Sequence, residues 1–370
     1  MRKKKHKDPS QQLHNALYFL SGVMSVVLVL IIVVGVQTNA QNTRQQADFQ
    51  NAGAQNDLFQ AEPEVPQTEQ ETESQENLEK WQEGDVSYQG KSYRYNSDIH
   101  TYLMMGIDKD EPVAQAKDYI SGGQSDAMFL LVTDSKNQTL KVISINRNSI
   151  TPIEVYDENG YSLDTIDAQI CLQHAYGDGK KLSCMRSVDA VSQMFDNIPI
   201  SGYLAMNMGG IPLMNDAIGG VELTALQSIS VPDEGIHIKM GQTLTLNGQE
   251  AYYYLKGRDT HEFGSATKRL RREEQYIIAY MDKLKGISGG NAAGVVDIYD
   301  SISDYLVTSV DFTSLITELM DYDFSQNQLY TVPGETVAGE PVDGQTYEEY
   351  HIDEDGLKKL IMEVFYEPVS

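Results

Sequence analysis

AMFLLVTDSKNQTLKVISIN, residues 127–146, decides the fold class. Two apolar runs, 127–133 and 139–146, flank the turn-forming Asp134-Ser135-Lys136-Asn137. The connection is too short for a crossover helix, so the two runs must pair as an antiparallel hairpin. Working outward, IHTYLMMGI (99–107) predicts a third buried strand and YLAMN (203–207) a central one. Helical patterns occupy 168–175, 187–195 and 211–218, the last stopped by Gly219-Gly220 ahead of a short strand at 221–223. A short strand at 243–246 precedes helices at 248–255 and 267–285, the second apolar at Ile277, Ile278, Met281 and Leu284. Residues 329–332, closed by Pro333-Gly334, predict an edge strand, and 354–365 a closing helix that completes the same domain. Strands mixed with helices and at least one hairpin define an α/β class, an α+β mixed sheet flanked by helices on both faces.

The 370 residues carry a formal net charge of -26. That balance excludes general nucleic-acid binding, which needs a broad basic surface. Against this background, KGRDTHEFGSATKRLRR (256–272) gathers Lys256, Arg258, Lys268, Arg269, Arg271 and Arg272. Guanidinium forks match phosphate oxygens in geometry as well as sign, so the stretch predicts local capture of a multiply charged anion. Arg269 and Arg272 share a helical face and Arg258 ends the preceding helix; Lys268 and Arg271 read as solvated charges. Further polar residues stand at strand ends: Asp108 after the first strand, Ser125-Asp126 before the second, Arg147-Asn148 after the third. Strand ends are where an α/β sheet presents functional groups.

The chain opens with a basic tail (1–15), followed by ALYFLSGVMSVVLVLIIVVGV (16–36) without a charged residue. About 20 such residues cross a hydrocarbon core of about 30 Å, so 16–37 reads as one transmembrane helix. Charge ahead of the span leaves the N-terminus cytoplasmic and the remainder extracellular. A signal peptide cleaved near Thr38-Asn39-Ala40 is the competing reading. Residues 38–90, rich in Gln and Glu, lack the apolar side chains to offset ordering entropy and read as a disordered acidic stalk. The extracytoplasmic domain is then 91–370.

Taken in order, the motifs resemble one family. LMMGID (103–108), Gln124-Ser125-Asp126 where the family has R-S-D, and SINRN (144–148) where it has S-I-P-R-D are followed by HAYGDG (174–179). NDAIGGV (215–221) and GQEAY (248–252) come next. Lys256-Gly257-Arg258 then stands for R-x-R, and Phe263-Gly264 with Arg269 and Arg272-Glu273 for an F-G-R-x-x-R-Q element. The set resembles the LytR-CpsA-Psr (LCP) phosphotransferases of Gram-positive cell envelopes over a core of 97–285. The resemblance implies a single LCP-like domain that moves a phosphate-linked anionic glycopolymer from a polyprenyl-pyrophosphate carrier to peptidoglycan, at the outer face of the cell membrane. It implies Asp126 and Asn148 as ligands of Mg²⁺ (or Mn²⁺), and Arg147, Asp126 and Asn148 as the catalytic group. Arg258, Arg269, Arg272 and Lys256 would bind phosphates, with Leu103, Met105, Leu204 and Met206, joined by Met214 and Ile218, lining a lipid tunnel. Asn148 replaces an aspartate and cannot take a proton, Lys256 and Gln124 replace arginines, and Glu273 replaces a glutamine. The alternative these departures leave open is a non-catalytic polyprenyl-phosphate or glycopolymer binding protein. Outside the membrane, Cys171 and Cys184 are expected to form a disulfide, with two buried free thiols as the other state.

Overall fold

A computed structural model describes residues 84–258, 262–288, 292–322, 328–339 and 347–369. The expected transmembrane helix (16–37), most of the stalk, and His261 lie outside the described residues. Among the described residues no helix is long and apolar enough to cross a membrane. Residues 84–90, assigned above to the stalk, carry β1 (Val86–Tyr88), which pairs with β2 (Lys91–Tyr95), so the folded body already includes them.

The expected hairpin is β4 (Ser125–Asp134) and β5 (Thr139–Ile145). Both Asp134 carboxylate oxygens hold its turn, accepting from the Asn137 main chain at 2.8 Å and side-chain amide at 2.7 Å. β3 (Ile99–Ile107) runs antiparallel to β4 and parallel to β8 (Gly202–Asn207). The C-terminal part supplies both edges, β13 (Leu306–Thr308) beside β8 and β14 (Leu329–Thr331) parallel to β5. The result is a six-stranded mixed sheet, as the alternation of strand and helix patterns predicts.

Side chains leave a strand alternately to its two faces, and both faces here are covered. One face sends Leu103, Met105, Met128, Leu130, Ile143 and Ile145 against α1 (Lys181–Met194) and α7 (Glu354–Phe365), where Phe195 and Phe365 meet edge to face. The other sends Phe129, Leu131, Val142 and Leu204 towards α4 (Ser265–Ser288) and α6 (Phe312–Asp321). α1 begins six residues before the predicted start because the Asp178 carboxylate accepts from the main chain of Lys180, Leu182 and Ser183, capping its first turn. The helix expected at 168–175 is a strand end followed by a 3₁₀ turn, Ile170–Ala175. β7 (Ser162–Gln169) pairs with β6 (Ile150–Tyr156); β7 is exposed over most of its length and β6 buries only Thr151 and Ile153, so little apolar alternation marks the hairpin.

A third apolar cluster joins α2 (Ile211–Ala217), α3 (Gly248–Lys256) and α5 (Ala292–Ile302) to the paired strands β9 (Val221–Thr224) and β12 (Thr243–Leu246). Its junction is Asn215, which is fully buried. The Asn215 amide donates to the Leu246 carbonyl at 2.9 Å, and its side-chain oxygen accepts from the Tyr276 hydroxyl at 3.1 Å and the Val221 main chain at 3.3 Å. Gly220 follows with φ 84, and a Cβ there would lie 2.6 Å from the Leu246 carbonyl oxygen, which accounts for the Gly-Gly pair. Asn215→Ala strands three buried polar groups and should lower unfolding free energy by about 3 kcal/mol in a urea titration. A loss below about 0.5 kcal/mol, the range of ordinary surface changes, would contradict this account of the corner.

Candidate active site

The register Ile107↔Ser125 and Met128↔Ile145 places the end of β3, the start of β4 and the end of β5 along one margin of the sheet. Asp108, Asp126 and Arg147 therefore converge, and α4 brings Arg269 to the same place. Arg147 Nη1 lies 2.5 Å from Asp126 Oδ1. Arg269 Nη1 donates to Asp126 Oδ2 at 2.9 Å and its Nη2 to the Asp126 carbonyl at 3.0 Å. One turn on, Glu273 Oε1 stands 3.2 Å from Arg269 Nε. These are shielded charges: Asp126 and Arg147 side chains are 11% and 10% exposed, and Arg269 and Glu273 3% and 8%.

Arg147 Nη2 is held from behind by the Gln124 side-chain oxygen and by Cys171 Sγ at 3.0 Å. Burial pushes the Cys171 thiol up, opposed by the charge of Arg147. The Gln124 main chain donates to Asp108 Oδ1 at 2.6 Å, and desolvation, with Asp126 adding to it, raises the Asp108 carboxyl above the ordinary range. Arg258 is half-buried, and loss of solvent followed by repulsion from Arg269 and Arg147 lowers its hold on its proton. It makes no hydrogen bond among the described residues and also lines a polar cleft with Ser228, Ser230 and Lys268.

The remaining predicted residues divide. Arg272 is buried and committed: its Nε donates to the Tyr254 carbonyl at 2.7 Å, and its terminal nitrogens to the Gly257 carbonyl and to Gln227. It ties the end of α3 to α4. Lys256 turns to Asp110, at 2.9 and 3.0 Å, and to the Tyr252 hydroxyl, so the structure does not bring it into the cluster. Asn148 is buried beside Arg147, its carbonyl accepting from Tyr350, but its side chain makes no hydrogen bond among the described residues. The expected disulfide is absent: Cys171 and Cys184 are separate buried thiols, the first facing Arg147 and the second 3.7 Å from His174 Nε2.

Behind the cluster, between the sheet and α4, lies a cavity of ≈ 210 Å³. Met105, Leu204 and Met206 line it as expected, with Met214. Leu103 does not line it and packs in the opposite core, where Met105 also packs, while Met104 points from the alternate face of β3 to the cavity; Ile218 packs in the α2–α3 cluster instead. Glu273 is the one charged side chain among the described lining residues. In the sequence Glu273 and Gln124 stand out only as departures from the family pattern and Cys171 only as a disulfide partner. The spacing of Arg269 to Glu273, one helical turn, was the available signal for the first. Nothing local marks Gln124 and Cys171, which meet Arg147 through the tertiary fold.

The LytR_cpsA_psr family profile matches residues 62–364. The chain belongs to the LytR-CpsA-Psr family. It is 28% identical over 271 residues to the polyisoprenyl-teichoic acid–peptidoglycan teichoic acid transferase TagU of Oceanobacillus iheyensis, covering 72% of this chain and 75% of that one. It is 27% identical over 219 residues to TagV of Bacillus subtilis, a protein of the same description, covering 57% of this chain and half of the relative. The crystal structure of B. subtilis TagV superimposes with a TM-score of 0.55 at 22% identity, over 72% of this chain and 97% of that one, and shows the shared LCP fold.

The residues present fit a hard cation. Asp126 Oδ1 is buried without a hydrogen bond, faced by the Arg147 guanidinium that a cation would displace, and Asp108 lies close enough to Asp126 for their charges to interact. Among the described residues no three acidic, His or Cys side chains cluster, so oxygens of a bound phosphate would have to complete the coordination, as is usual for Mg²⁺. Arg258 has no salt bridge among the described residues, and loss of solvent and repulsion from Arg269 and Arg147 outweigh its attraction to Asp126 and Glu348, so it represents stability given up for a binding surface. Arg258→Gln should therefore raise unfolding free energy by about 0.5–1 kcal/mol in chemical denaturation, whereas a loss of similar size would show that Arg258 is a structural residue.

Proposed function

We propose that this chain transfers a phosphate-linked glycopolymer from a polyprenyl-pyrophosphate carrier to a hydroxyl of peptidoglycan, outside the cell membrane to which its N-terminal segment anchors it. The observation that carries this reading is the junction of an apolar cavity with the Asp126–Arg147–Arg269 cluster. A chain of isoprene units requires the first and a diphosphate the second, and the two meet at Glu273 and Arg269.

In this reading Arg147, Arg258 and Arg269 hold the diphosphate oxygens and stabilise charge as it moves onto the leaving phosphate. The acceptor hydroxyl oxygen forms a bond to the sugar-side phosphorus. The bond from that phosphorus to the bridging oxygen breaks, and polyprenyl phosphate departs with the bonding electrons. Asp108, with its raised proton affinity and its place at the same strand end, takes the hydroxyl proton; Asn148 cannot. Asp126 would hold Mg²⁺ or Mn²⁺, with Asn148 as a second ligand, and the ion when bound supplies Lewis-acid neutralisation of the phosphates. The polar cleft shared by Arg258, Ser228 and Ser230 gives the first sugars a place to leave the cluster.

Asn148 favours one second reading, a binding protein that holds the lipid without turnover. Both are tested by release of prenyl phosphate from a short-chain prenyl-diphospho-glycan in the presence of peptidoglycan fragments. Arg147→Ala and Arg269→Ala should lower the rate by about 100-fold or more, and Lys256→Ala by no more than about threefold. Tight donor binding with no release by the wild type would select the binding protein.

A further inference from the structure

Glu273 occupies a position that neither the cavity nor the phosphate cluster requires. Among the described residues its carboxyl is the one charged group of an apolar lining, and its one ion pair is with Arg269 Nε at 3.2 Å, a contact that is not a hydrogen bond. The other two nitrogens of Arg269 are taken by Asp126. With Glu273 ionised, Arg147 and Arg269 face Asp126 and Glu273, two positive charges against two negative ones. A diphosphate entering beside these balanced pairs gains less from either guanidinium, and Arg258 is the uncompensated charge that meets it. With Glu273 protonated the group carries one net positive charge, and Arg269 Nε no longer serves a carboxylate. Arg258 adds its positive charge in either state.

We propose that Glu273 is a positioning residue for the donor's diphosphate: its ionised carboxyl withholds Arg269, its protonated form releases that guanidinium, and the site takes up a proton as it takes up the diphosphate. This deepens the transferase reading and rests on it. The charged groups that face Glu273 are Arg269 and Arg272 on its own helix, Asp126 from β4 and Arg147 from beyond β5. The cavity wall on its other side, including Met105, Met206, Leu255 and Tyr276, offers no charge. Burial pushes the Glu273 carboxyl up to about 7, with Arg269 opposing the rise and Asp126 adding to it. An anion bound at Arg269 adds a second negative neighbour and raises it further.

The sign of the linkage follows. Below about pH 7 the carboxyl is already protonated in the free protein, and binding is independent of pH. Above it, binding must draw a proton from solvent, so affinity weakens by up to about tenfold per pH unit until the bound-state carboxyl also ionises. A prenyl diphospho-sugar suits the test because both phosphates are substituted and its charge is constant over this range.

The experiment is calorimetric titration of the membrane-anchored full chain in detergent with farnesyl diphospho-N-acetylglucosamine, from about pH 6 to about pH 8.5. It is run at fixed Mg²⁺ in two buffers of different ionisation enthalpy. The wild type should lose about tenfold in affinity between about pH 7 and about pH 8.5, with buffer-dependent heats that report net proton uptake. Glu273→Gln, neutral and of the same shape, should bind at pH 8.5 as tightly as the wild type does at pH 6, with heats independent of buffer. Affinity independent of pH in the wild type, or proton uptake retained in Glu273→Gln, overturns the role of Glu273 and leaves the transferase reading standing. Absence of any binding by the wild type overturns both. Should Glu273→Gln fail to fold, the wild-type buffer dependence alone decides.

Discussion

The carboxylate of Asp126 holds two guanidiniums that come from different parts of the chain, Arg147 after β5 and Arg269 on α4. A buried charge left alone in such a place would cost several kcal/mol, and a buried pair is tolerated only when its geometry is good. The shared carboxylate meets that condition through Arg269, whose Nη1 donates at 2.9 Å, while Arg147 stands 2.5 Å away as an ion contact without a hydrogen bond. It also fixes the angle at which α4 crosses the sheet margin, since Arg269 reaches the Asp126 carbonyl as well. The cavity exists because of that crossing: α4 is pinned at its polar start, while its apolar Ile277, Met281 and Leu284 stand along the cavity wall.

The same pinning sorts the basic stretch into different duties. Arg269 faces the anion site, Arg272 is drawn inward to the carbonyls that end α3, and Arg271 turns out to Glu274 and solvent. Lys256 is neutralised by Asp110 at the surface. A run of six bases thus yields one fully engaged phosphate candidate on α4, with Arg258 and Arg147 completing the set. Charge density along the chain overstated the pocket, because each step of about 100° around a helix points a side chain at a different environment.

Much of the fold was legible. The hairpin at 127–146, the strand at 99–107 and the helix at 354–365 follow from apolar periodicity and turn chemistry, and they were recovered with boundaries within a few residues. The β6–β7 hairpin was not, because β7 faces solvent and β6 buries only Thr151 and Ile153. In the site, Asp126, Arg147, Arg258 and Arg269 were legible as opposite or like charges at element ends. The error over Leu103 came from naming a strand's residues without assigning a face. The disulfide failed for a related reason: Cys171 is turned towards Arg147 and Cys184 towards His174, and sequence separation alone carries no such direction. The His174 ring, buried and held near about 4, belongs to that second core rather than to the site.

The central claim is that one substrate spans the cavity and the cluster, hydrocarbon in the first and diphosphate in the second. The most direct test is photolabelling with a short prenyl diphospho-sugar that carries a diazirine at the far end of its prenyl chain, followed by peptide mass spectrometry. Label on cavity residues such as Met206, Met281 or Leu284, abolished by Arg269→Ala, is the predicted result. Label confined to the outer polar cleft around Ser228 and Lys268, or unaffected by loss of Arg269, would contradict it.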